Sequence, residues 1–197
     1  MRKLAIVLWL LLPILTGLYH YGPGQRQMML DDVADLTRRA EGAVETEDWQ
    51  SAADLYGAAI EQIPRDKIDQ LRRLRLEHAK AQMLASQLPS ANTGLEALLD
   101  ELKADQLDET SFGVEVREAL ASSQYYMTWL MRLEGQAPEK WEPQIDAARQ
   151  SFRLLAERAN AADQAEDAKR NQENLESAVR LARMDLSDLQ GLPLPSQ

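Results

Sequence analysis

Cysteine is absent from the 197 residues, and glycine and proline are sparse, with nine and eight occurrences. The lack of cysteine excludes disulfides, thiol catalysis and cysteine metal sites, although it leaves the compartment open because many exported proteins also lack disulfides. Val, Ile, Thr and the aromatic residues are too few for a large sheet. Residues that favour helices, such as Ala, Leu, Glu, Gln and Arg, dominate. The composition therefore predicts an all-α protein.

Motifs for catalysis and for cofactor binding are also lacking. His20 and His78 are the only histidines, and each stands alone, whereas zinc and general-base sites need several converging groups. No glycine-rich phosphate loop and no nucleophile-elbow serine occur. Paired acids such as Asp31-Asp32 suit helix N-termini or a solvated surface. We therefore expect a protein that is not an enzyme and that holds neither a metal nor a cofactor.

Basic residues are in the minority, because 22 Lys and Arg against 32 Asp and Glu give a formal net charge of −10. An acidic surface repels phosphate backbones and anionic headgroups, so nucleic acid is not an expected partner. Arg72, Arg73 and Arg75 form the one basic cluster. It has two interpretations: a groove lining that receives an acidic peptide tail, or a solvated helix face.

Residues 4–21 form an uncharged, mostly apolar run that follows Arg2 and Lys3. Its 18 positions are just enough to cross a bilayer core of about 30 Å. The small-x-small site of a cleaved signal peptide is poorly matched here. The poor match favours an uncleaved signal anchor over a cleaved signal peptide, which would give a secreted protein. A soluble protein with a buried N-terminal helix is the third alternative. The positive-inside rule places residues 22–197 outside the cytoplasm, and we expect a bacterial inner membrane and periplasm.

Apolar periodicity and turn residues divide the chain further. We expect the anchor and its Gly22-Pro23-Gly24 hinge at residues 1–27, a helical domain at 28–190 and a flexible tail at 191–197. Within the domain, helical hairpins are predicted at 33–66, 67–105 and 112–160. A last helix at 162–190 has a heptad pattern, which would either cap the domain or form a homo-oligomer.

The spacing also predicts individual helices. The first begins near Leu30 or Asp31, and the second covers residues 49–63. A third helix, at 67–87, ends at a break at Leu88-Pro89-Ser90, and a short helix at 95–102 follows with Asn92 or Thr93 as its cap. The fifth covers residues 112–133, and the sixth begins at Pro143, a residue suited to a first helical turn.

The hairpin at 33–66 resembles a tetratricopeptide repeat. The matching residues are the apolar, small, aromatic and helix-terminating positions of that motif: Leu36, Ala40, Trp49, Ala52, Tyr56, Ala59 and Pro64. Ala43 stands where the motif has a large aromatic. The resemblance implies a short, degenerate tetratricopeptide-like α-solenoid that holds protein partners. Thr37 and Glu41 occupy the positions that clamp a carboxylate in such proteins, so a carboxylate clamp is not expected.

The densest aromatic segment includes Tyr126, Trp129 and, further on, Trp141. It is either a central core element or a partner-binding surface. Together with Arg72, Arg73 and Arg75, these aromatics are the candidate partner-binding residues. We expect a non-enzymatic, membrane-anchored scaffold or adaptor for membrane-associated protein partners. The alternatives are a structural envelope component that oligomerises through its C-terminal helix, and a secreted ligand-binding protein or an enzyme.

Overall fold

The structure, a computed structural model, describes Trp9, Leu11 and residues 25–190. All regular secondary structure in this part of the chain is helical, which confirms the all-α prediction. The helices are α1 (Gln25–Glu45), α2 (Trp49–Gln62), α3 (Ile68–Leu84), α4 (Leu88–Ala104), α5 (Ser111–Leu133), α6 (Pro138–Ala161), α7 (Ala165–Arg183) and α8 (Leu186–Gln190).

The expected anchor at residues 4–21 lies outside the described residues, except for Trp9 and Leu11. Among the helices that the structure describes, none is long and apolar enough to cross a membrane.

The contacts divide the chain into two compact units, residues 1–74 and 75–197. In the first unit, α1 and α2 pack as a hairpin, and the short turn between them makes the two helices antiparallel. Ala40, Ala52 and Ala59 are completely buried where the helices meet, and Tyr56 is 4% exposed. Small side chains allow the two backbones to approach closely, which accounts for the alanine spacing in the sequence.

Five of the eight described helices end in the same kind of turn, which the sequence marks with glycine only once. In these five, the second residue after the helix end has a positive φ angle: Glu47, Ser86, Gln106, Gly135 and Asp163. In each case the next residue's N–H donates to a carbonyl five residues back, as from Gln136 to Met131 at 2.9 Å. This is the Schellman arrangement. Only one of the five turns uses glycine, the residue that adopts this conformation without strain.

The prediction for α4 was wrong in its start and its cap. The helix begins at Leu88 rather than at residue 95, with Pro89 in its first turn. A proline in the first turn loses no hydrogen bond, because that N–H has no partner in a helix. Asn92 therefore lies within the helix and is buried, and its Nδ2 donates to Glu96 Oε1 at 3.0 Å.

The last two predicted helices also differ from the structure. α6 begins at Pro138, and Pro143 lies inside it, so the connection from α5 is only four residues long. The helix expected over 162–190 is divided in two, because Met184 takes an extended conformation after α7. Ala165 and Gln172, which the heptad pattern placed on the seam, are exposed, whereas Asn171, Ala178 and Leu181 are buried.

The second unit is built around two apolar clusters. One joins α3, α4 and the first half of α5, through Leu76, Leu95, Leu98, Leu102 and Val116 among others. The other joins α5, α6, α7 and α8, through Trp129, Ile145, Phe152, Leu181 and Leu189 among others. Residues of α5 belong to both clusters. The face of α5 that lies outside the two clusters forms the surface next to α3.

Candidate protein-binding groove

The structure separates the arginines that the sequence placed in one basic cluster. Arg72 is only 5% exposed, while Arg73 is exposed. Arg75 Nη1 lies 2.6 Å from Glu101 Oε2 on α4. Burial and ion pairing therefore leave these residues without a shared cationic surface of the kind that an acidic peptide tail requires.

The predicted aromatic residues also have different environments. Trp129 is 7% exposed and belongs to the core. Trp141 is half-buried against the same core, and the guanidinium of Arg132 lies 4.8 Å from the centre of its ring. Tyr126 is half-buried, and it alone of the six candidate residues lines the groove described next.

A groove of about 480 Å³ lies between the C-terminal half of α3 and the outward face of α5. Its α3 side consists of Lys80, Met83 and Leu84, and its α5 side consists of Glu115, Glu118, Ala119, Ser122 and Tyr126. The α5 residues recur every three or four positions, so they form one stripe along the helix. The small side chains of Ala119 and Ser122 leave the space, and Met83, Leu84 and the Tyr126 ring provide apolar surface.

A buried polar contact sets the rotation of α5 that exposes this stripe. Ser123 is completely buried, and its Oγ donates to Asn92 Oδ1 on α4 at 2.8 Å. Ser123 Oγ also lies 2.9 Å from the Leu120 carbonyl of its own helix, whereas the buried Asn92 Oδ1 depends on Ser123. An unpaired oxygen at such a site is costly, so the contact favours one register of α5 on α4. With Ser123 turned toward α4, the preceding residue, Ser122, lines the groove.

Carboxylates outnumber cations at the rim. Lys80 Nζ contacts Glu115 at 2.7 Å and Glu77 at 3.0 Å. Across α5, Arg170 of α7 contacts Glu118 at 3.1 Å, and its other carboxylate partner, Asp167, lies 2.9 Å away. Of the charged residues that line the groove, Glu115 and Glu118 outnumber Lys80, which leaves a formal charge of −1 (1 − 2).

The protonation states follow from this environment. Burial lowers the pKa of Lys80, but its hydrogen bonds to Glu115 and Glu77 and their charges outweigh this effect, and the net pKa is raised. Lys80 is therefore a cation at neutral pH. Partial burial raises the pKa of Tyr126, so its hydroxyl is neutral and can donate or accept a hydrogen bond in the groove.

The sequence contained a signal for this groove that motif reasoning missed. Residues 115, 118, 119, 122 and 126 place two carboxylates, two small side chains and a tyrosine on one face of a predicted helix, which is not the pattern of a fully packed face. Its counterpart on α3 lies 35 residues earlier, as the pair Lys80–Glu115 shows. Only the tertiary fold brings the two together.

Within the described residues, no three His, Asp or Glu side chains come together as a metal site would require. Comparison of the chain with protein-family models, curated proteins and solved structures gave no match.

Proposed function

We propose that this chain is a non-enzymatic, membrane-anchored scaffold that holds a basic, partly apolar segment of another protein in the groove between α3 and α5. In this proposal residues 4–21 are the anchor, and the helical domain lies on the extracytoplasmic side. The hairpins are a degenerate form of the tetratricopeptide arrangement, which the alanine positions of residues 33–66 resemble.

The groove is the observation that supports the proposal. It lies between the first helices of two successive hairpins, α3 with α4 and α5 with α6. Arrays of such hairpins present one layer of helices as a binding surface. A groove of a few hundred cubic ångströms with apolar surface and a few polar groups has the usual character of a binding site.

The rim charge supports a basic partner. The surplus of negative charge among the lining residues favours Lys or Arg on the partner, and the apolar surface favours aliphatic or aromatic side chains between them. An amphipathic helix whose basic residues flank its apolar stripe provides both groups. This partner differs from the acidic tail that the cluster at Arg72, Arg73 and Arg75 suggested.

Two peptides of equal length and opposite charge test the proposal. The full chain in zwitterionic nanodiscs is titrated into a fluorescent amphipathic Leu/Lys peptide and into its Leu/Glu counterpart, and fluorescence anisotropy is measured. We expect the Leu/Lys peptide to bind more tightly, and added salt to weaken its binding because the rim charges are partly exposed.

A double substitution links that binding to the rim. Glu115→Gln with Glu118→Gln removes two negative charges, while Lys80 keeps Glu77 and Arg170 keeps Asp167 as partners. At about 0.5 kcal/mol per partly exposed charge pair, affinity for the Leu/Lys peptide falls about fivefold. The matched control, Glu157→Gln with Glu166→Gln, changes exposed carboxylates away from the groove. Equal binding of both peptides, or an equal loss in the control, would refute the proposal.

A further inference from the structure

A second groove, of about 540 Å³, lies on α7 and does not depend on the groove between α3 and α5. Apolar residues Leu175, Val179 and Met184 form its centre, and it is completed by polar and charged residues, namely Gln172, Glu176, Arg180, Arg183 and Asp188. The three apolar side chains are only half-buried. Leu175 and Met184 contact the edge of the core cluster with their inner sides, while Ala178 and Leu181 of α7 are fully buried within that cluster.

No described helix covers this face. α7 is the last long helix, and the short α8 that follows packs against α5. Single apolar side chains on a surface are ordinary, but a contiguous apolar centre within a charged ring indicates an interaction surface.

The charges of this face are balanced, unlike those of the chain as a whole. Glu176 and Asp188 oppose Arg180 and Arg183, which gives a net charge of zero (2 − 2), whereas the whole chain carries −10. Two copies that meet here avoid the mutual repulsion that their net charge causes elsewhere. Among the described residues, neither Glu176 nor Arg183 forms an ion pair, so both carry a charge that a partner can neutralise.

The order of these charges along α7 selects one geometry. Glu176 and Arg183 are seven residues apart, two helical turns, and so lie on one face with Val179 between them. In an antiparallel pair with a two-fold axis beside Val179, each Glu176 lies opposite the partner's Arg183, and each Leu175 lies opposite the partner's Met184. Because a two-fold interface repeats every contact, the Glu176–Arg183 ion pair forms twice. A parallel pair would instead place Glu176 against the partner's Glu176.

We propose that two copies of this chain associate through α7 in this antiparallel arrangement. The dimer would present two grooves between α3 and α5, and a partner with two basic segments would then bind with increased avidity.

The absence of cysteine makes a direct test possible, because any disulfide must arise from introduced residues. Full-length Glu176→Cys and Arg183→Cys variants, carrying different tags, are mixed in the membrane and oxidised. A disulfide requires Cβ atoms about 4 Å apart, so the proposal predicts that the mixed product exceeds the Glu176→Cys homodimer several-fold. The mixed pair keeps one intact Glu176–Arg183 contact, and both positions are exposed, so the core is unaffected.

Ser177→Cys is the matched control, since Ser177 is exposed on another side of α7. Cross-linking of the mixed pair no greater than that of Ser177→Cys would overturn the proposal. Predominant Glu176→Cys homodimers would also overturn it, because they indicate parallel helices.

Charge exchange provides a second measurement. Glu176→Arg and Arg183→Glu each place like charges opposite one another and reduce the dimer fraction, whereas the double variant restores it. Failure of the double variant to restore the dimer would contradict the antiparallel register, even if both single variants dissociate.

Discussion

Gly113 in the first turn of α5 provides a sensitive test of the packing that supports the groove. A β-carbon added there would lie 2.5 Å from the Leu107 carbonyl oxygen and 2.6 Å from the Asp108 Cα atom. Both are backbone atoms, so rotation of a side chain cannot relieve the contact. Gly94 in α4 is the matched control, because a β-carbon added there would meet no atom within 4 Å beyond the neighbouring backbone of its own helix.

The two Gly→Ala substitutions should therefore have opposite effects. At Gly94, alanine gains helix propensity, and we expect an increase of about 0.5–1 kcal/mol in the free energy of unfolding. At Gly113, residues 107 and 108 must move, which costs about 1–3 kcal/mol for overpacking. That movement also disturbs the 2.6 Å bond from Thr110 Oγ1 to the Leu107 carbonyl.

Urea denaturation followed by far-UV circular dichroism measures both effects on the full chain. We expect Gly94→Ala to raise the denaturation midpoint and Gly113→Ala to lower it. A Gly113→Ala protein as stable as the unsubstituted chain would refute the close approach of residues 107–108 to the first turn of α5.

Three further predictions concern a helix end, a cross-helix contact and a titration. Gln106→Gly should raise the free energy of unfolding by about 1 kcal/mol, because Gln106 has a positive φ that glycine adopts without strain. Urea denaturation measures the change, and an unchanged free energy of unfolding would contradict the positive φ at Gln106. Arg132 donates to two carbonyls at the end of α7. Arg132→Ala should therefore speed hydrogen exchange in α7 and α8, and Arg132→Lys should restore slow exchange only in part. Unchanged exchange in Arg132→Ala would show that these two hydrogen bonds do not hold the end of α7. Burial raises the pKa values of Tyr125 and Tyr126, so their contribution to stability is present below the pKa of unfolded tyrosine and is lost as pH rises through the folded values. The difference in absorbance titration between the chain and each Tyr→Phe variant gives the pKa of that tyrosine, and a value at the ordinary tyrosine pKa would contradict the prediction.

The sequence was sufficient to predict a helix where the apolar spacing and the residues that start and stop a helix indicate the same bounds. Trp49 to Gln62 was predicted almost to the residue, since Asp48 caps its start and Pro64 stops its end. The prolines at 89 and 143 were less informative, because a proline within the first turn and a proline inside a helix give the same local signal. Helix ends with Ser86 or Gln106 at a positive φ lack the glycine that would have marked them.

The candidate site was predictable only in part. Tyr126 was among the predicted residues, but the burial of Trp129 and Arg72 depends on helices that are distant in sequence. The rim required the pairings of Lys80 with Glu115 and of Glu118 with Arg170. Such pairings depend on helix register, which no local pattern specifies.

Photo-cross-linking from within the groove tests the central proposal most directly. Benzoylphenylalanine replaces Ser122 in the full chain, and a second protein carries it at the exposed Ser90 of α4 as the matched control. On irradiation with the Leu/Lys peptide, the proposal predicts a cross-link from position 122 that unlabelled Leu/Lys peptide competes away and Leu/Glu peptide does not. Equal cross-linking from positions 122 and 90, or none from position 122 under conditions where the peptide binds, would contradict it.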